Sequence, residues 1–119
     1  MASYITYGAL DVITTLLAAA TWYGAWGSGS EAPSRSSTTL SSEESEARQE
    51  TTLTQESNAQ TNDTLVASFT MTSDGSKTIT NAGVLSASTL GTLIFVTNFS
   101  GITLSVGKTV AFTCRLRLK

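Results

Sequence analysis

Apolar residues recur at intervals of three and four near the start of this chain and at intervals of two over its second half. Leu10, Ile13, Leu16, Leu17 and Ala20 share one face of a helix predicted from about Gly8 to Ala20. Thr6 or Ser3 is placed to cap it. Thr21, Trp22, Tyr23 and Trp26 favour an extended strand, which the run GSGSEAPS from Gly27 to Ser34 interrupts. Leu65, Ala67, Phe69 and Met71 alternate with Thr64, Val66, Ser68 and Thr70, so one face of this strand is apolar and the other mostly hydroxylic. Leu93, Phe95, Thr97 and Phe99 repeat the pattern with Ile94 and Val96 opposite, which suits a strand covered on both sides. Ile102, Leu104 and Val106, then Val110, Phe112, Cys114, Leu116 and Leu118, complete the series.

Turn signals punctuate these runs at Ser73–Gly75, Asn81–Gly83, Ser88–Gly91, Ser100–Gly101 and Gly107–Lys108. Asp74-Gly75 reads as a turn between the Leu65–Met71 strand and one centred on Ile79. Asn81-Ala82-Gly83 reads as a corner, Ser100-Gly101 as a strand end, and Gly107-Lys108 as a tight hairpin. Five or six short strands with such punctuation predict a mainly β protein: a small antiparallel β-sandwich or jelly-roll-like domain with an N-terminal helix or arm. Three segments follow: residues 1–27 as helix and aromatic strand, 28–50 as a loop or short helix rich in Ser, Thr and Glu, and 51–119 as the sandwich. A length of 119 residues suits one structural domain.

Composition narrows the chemistry. Only 13% of residues are charged and 40% are hydrophobic, so much of the surface is hydroxylic and association with other protein is expected. The net charge of −2, from 7 basic and 9 acidic residues, provides no field for gripping a phosphate backbone, and nucleic acid is not an expected partner. Arg115, Arg117 and Lys119 alternate with apolar residues, as on the solvent side of a strand. The apolar N-terminus is interrupted by Asp11 and falls short of the roughly 20 residues a bilayer span requires, so no membrane role is expected.

The chain has no histidine and a single cysteine, Cys114. Imidazole-based acid–base catalysis and the common zinc sites are therefore excluded, and Cys114 reads as a small buried hydrophobe. Glu43, Glu44, Glu46 and Glu50 raise a catalytic or metal reading, but their spacing fits no calcium loop and no base accompanies them; a solvated, acidic helix or turn accounts for them. The run GSGS lacks the lysine and the strand–loop–helix setting of a phosphate loop. No enzymatic activity and no cofactor is expected. Trp22, Tyr23 and Trp26 together allow a carbohydrate-binding surface, although aromatics beside glycines more often form a packing corner.

Four stretches carry a resemblance: WYGAWGSG from Trp22 to Gly29, LSSEESEAR from Leu40 to Arg48, TNDTLVASFTMTSDGSKTITNAGVL from Thr61 to Leu85, and GTLIFVTNFSGITLSVGKTVAFT from Gly91 to Thr113. With these, the chain resembles small virion proteins of tailed bacteriophages, cyanophages among them, a group that includes capsid decoration proteins and collar-type tail-fibre domains. The resemblance implies a passive, β-rich subunit, a trimer, that bridges major capsid proteins on the outer capsid surface. No fibre shaft follows the last strand, which favours a cement subunit; a tail, neck or fibre-adaptor protein is the alternative. The expected partner contacts are Tyr4, Ile5, Leu10, Trp22, Tyr23 and Trp26, together with the Ser-rich arm.

Overall fold

A computed structural model describes residues 2–118. Helix α1 (Tyr7–Ala18) begins at Thr6, whose side chain accepts a hydrogen bond from the Ala9 N–H. Seven strands follow: β1 (Tyr23–Gly27), β2 (Gln49–Glu50), β3 (Thr52–Glu56), β4 (Thr64–Thr72), β5 (Lys77–Leu85), β6 (Leu93–Leu104) and β7 (Thr109–Arg117). They form two antiparallel sheets, one in the order β2-β1-β5-β6 and the other in the order β3-β4-β7. The fold is mainly β, as a small sandwich with an N-terminal helix. The aromatic strand β1 lies inside the first sheet, between β2 and β5. The sandwich thus recruits residues well before Thr51.

Alternation places the core. Leu65, Ala67, Phe69 and Met71 of β4 are buried on the inner face of their sheet, which they share with β7, where Cys114 is buried and Val110, Phe112 and Leu116 are partly so. The register pairs Phe69 with Phe112 and Ala67 with Cys114. The Phe69 and Phe112 rings stack at 5.0 Å, and Trp26 of the opposite sheet meets Phe112 edge-on at 6.4 Å. Trp26, Leu65, Met71, Ile79 and Val84 are sealed from solvent, and burial of each such side chain stabilises the fold by roughly 1.5–3 kcal/mol. A second, smaller cluster of Ala25, Leu40 and Leu85 lies apart, with Leu93 and Val96 packed on it.

Three of the expected turns are something else. Asn81-Ala82-Gly83 is not a corner but the buried middle of β5. Gly83 is there because a Cβ would come within 2.7 Å of both the Leu40 side chain and the Phe95 carbonyl oxygen. Ser100-Gly101 does not end a strand. Three residues of β6, Phe99 to Gly101, stand between the Asn81–Asn98 and Ile79–Ile102 pairs where β5 has only Thr80, so the segment is a bulge and the strand runs on to Leu104. Gly107 does adopt a positive φ of 81°, yet β6 and β7 belong to different sheets, so its turn is a crossing and not a hairpin.

The turn after β4 likewise passes from one sheet to the other. The two crossings are tied together: the Ser73 N–H donates to the Lys108 carbonyl and the Gly107 N–H to the Ser73 carbonyl, both at 2.8 Å. Five strands from Thr52 onward agree with the expected number, but they are longer than the punctuation suggested.

Candidate functional site

α1 has two unlike faces. Leu10 and Thr14 are buried, and Leu17 and Ala18 pack on the main core. The Thr14 hydroxyl donates to the Asn62 carbonyl at 2.7 Å and accepts from Gln55 Nε2 at 2.7 Å, so a polar link fixes the helix to β3 and to the loop before β4. The other face and the extended residues leading into it are open. Tyr4 is 86% exposed, Ile5 and Tyr7 68%, Leu16 69% and Val12 59%. Between Ala2 and Ala20 the only charged side chain is Asp11, and its carboxylate accepts hydrogen bonds from Asn62 Nδ2 and the Thr15 hydroxyl. The result is a largely apolar surface whose one charge, on Asp11, is held by neutral hydrogen-bond donors.

Of the expected contacts, Tyr4 and Ile5 stand on this surface and Tyr23 is half-buried. Leu10, Trp22 and Trp26 do not: all three are buried. The helical period that puts Leu16 outside puts Leu10 inside, and the two indoles lie within the main core. An open three-ring platform for a sugar is therefore not formed. Tyr7, Val12 and Leu16 belong to the open face instead, and the signal for them was available: a helix apolar all round must leave one apolar side uncovered when it packs on a small sandwich.

The glutamates differ more from expectation. The segment from Leu40 to Arg48 forms no helix; it turns at Ser41–Ser42, and although Glu43 and Ser45 are exposed, ion pairs hold it down. Glu46 Oε1 accepts from Trp26 Nε1 at 3.1 Å; its Oε2 accepts from the Asp74 N–H at 3.1 Å and from Lys77 Nζ. Lys77 Nζ also donates to Asp74 at 2.9 Å and reaches Glu44 at 3.5 Å. Burial pushes the Glu46 carboxyl up, but its hydrogen bonds from Lys77, Asp74 and Trp26 outweigh this and hold it at about 2 instead of 4.5. Burial alone would lower Lys77; its carboxylate partners raise it above its ordinary 10.5. Sequence spacing could not pair groups this far apart.

Arg48 pins the same segment from the other side. Its guanidinium makes a two-pronged ion pair with Glu43, at 2.8 and 2.9 Å, and donates to the Ala87 and Leu90 carbonyls. Each carboxylate of the run except Glu50 thus has a cationic partner close by. Among the described residues no group of three or more His, Cys, Asp or Glu is arranged to hold a metal ion, and no helix is long and apolar enough to cross a membrane. The arrangement works as a tie between β1, β5 and the crossing turn. No protein-family model and no curated protein matches this chain.

Proposed function

We propose that this chain is a structural subunit of a phage virion, a decoration or cement subunit on the outside of the capsid that docks through the N-terminal face. One observation carries the reading: the segment from Tyr4 to Leu16 exposes five large apolar side chains with Asp11 as its one charge, although the sandwich beneath it is already fastened. Two tyrosines, at roughly 150–250 Å² each when buried, and three aliphatic side chains approach the roughly 800 Å² per partner of a standard interface. The short-motif resemblance to virion proteins supplies the partner, a major capsid protein. Such contacts, repeated around a shell, gain strength through multivalency.

Quantitative mass spectrometry of purified particles tests this. Copy numbers of the order of the capsomers are expected, and an I5E/L16E double variant should keep its circular dichroism while losing most of its incorporation. A few copies per particle would instead place the chain in the tail or neck, and undiminished incorporation of the variant would remove the docking role from this face.

A further inference from the structure

β6 closes one sheet and β7 the other, and Phe99 of β6 lies 6.1 Å from Phe112 of β7, so both bare edges flank the same opening of the sandwich. α1 packs instead on β3 and β4. Edge strands present rows of unmatched N–H and C=O groups, which proteins guard by shortness, charge, proline or bulges. β2 is two residues long and β3 five. β7 carries Arg115 and Arg117. β6 is twelve residues long with no charge and no proline, and indeed no residue from Thr78 to Gly107 is Asp, Glu, Lys or Arg.

The only guards on β6 are its bulges. One places Ile94 as an extra residue between the Leu85–Leu93 and Val84–Phe95 pairs, and the other is Phe99–Gly101. Between them Phe95–Asn98 keeps regular register with Asn81–Val84. Among the described residues, no backbone group outside β5 is hydrogen-bonded to the backbone of β6. The loop at Pro33–Ser37 stands off Leu93–Val96 across an open cleft of about 620 Å³. Phe95, Val96, Phe99 and Ile102 are only half-buried.

We propose that β6 pairs antiparallel with β6 of a second copy, centred on Phe95–Asn98, joining two four-stranded sheets into one continuous sheet. A second copy is the fitting occupant because the contact is self-complementary: strands of equal length and alternation meet, and the two β6 strands bring no like charges of their own together, Arg35 standing on the loop across the cleft. β7 instead carries Arg115 and Arg117, charges of the kind that guard an edge strand against pairing. The new strand would also cover the half-buried Phe95 and Phe99 on one face and Val96 on the other. This two-fold contact does not rest on the virion reading, and it replaces the threefold assembly that the resemblance implies.

Light scattering and hydrogen exchange on the full chain test it. The expected results are the mass of two chains and amides of Phe95–Asn98 that exchange more slowly as concentration rises. An I94K/N98K variant should have the mass of one chain with unchanged circular dichroism, whereas T54K, on β3, should remain paired. A single-chain mass at every concentration, a three-chain mass, or β6 exchange independent of concentration overturns the proposal. So does pairing that survives I94K/N98K, or that is lost in L16E and kept in the edge variant.

Discussion

Glu46 shows how a residue that looks solvated in sequence becomes structural once its partners are in place. Its folded pKa, about 2, lies below the unfolded value of 4.5. Between those values the unfolded chain binds the extra proton, so stability is complete above pH 4.5 and falls as pH drops towards 2. The lowered value means that the ionised Glu46 carboxylate, held by Lys77, Asp74 and Trp26, contributes to stability at neutral pH. Lys77 has the opposite sign: raised from 10.5, it keeps its contribution below that value and loses it only as pH rises through the higher folded value. Urea unfolding from pH 7 to pH 2 should show this acid loss, and E46Q should flatten it while lowering stability at pH 7. An equally steep acid limb in E46Q would assign the loss to another group. Asp63 is a second buried carboxylate; burial raises its pKa, but N–H groups of Asn58, Ala59 and Gln60 and the Thr64 hydroxyl hold it below 3.8.

At the scale of elements, α1 depends on Thr14 as much as on its apolar contacts. The hydroxyl is fully buried with both a donor and an acceptor role filled. T14V keeps the shape but leaves the Asn62 carbonyl without its donor, while Gln55 Nε2 keeps its bond to the Thr15 hydroxyl, so a loss of roughly 1–3 kcal/mol is expected in thermal or urea unfolding; a neutral substitution would mean that water replaces the lost donor. The helix itself and strands β4 and β7 were legible because their periods are unbroken. β5 and β6 were expected but cut short, because Gly83 and Gly101 resemble turn punctuation while serving close approach: Gly83 lets the Leu40 side chain and the Phe95 carbonyl oxygen come near β5, and Gly101 sits in a bulge against the Thr78 methyl. A glycine in sequence signals that a side chain is absent, not why. The role of Glu46 was illegible for a different reason, since Lys77 lies 31 residues away and only the two-sheet topology brings them together.

At the scale of the whole molecule, charge is distributed very unevenly. Acids and bases collect on the segment from Glu43 to Glu50 and around β3 and β7, whereas β5 beyond Lys77 and all of β6 carry none. The folded protein sequesters one side of this hairpin in its core. An unfolded chain has no such shelter: the run LIFVTNF is rich in β-formers and lacks charge and proline, which is the composition of segments that stack into cross-β fibrils. Thermal unfolding should therefore end in precipitation, with turbidity appearing at the transition and no refolding on cooling; I94K/N98K, with two lysines set into that run, should remain clear and recover its signal. The absence of charge that leaves β6 open to a neighbour in the native state thus makes the lifetime of the unfolded chain, and not the depth of the native minimum, the quantity that governs how long the protein survives heating.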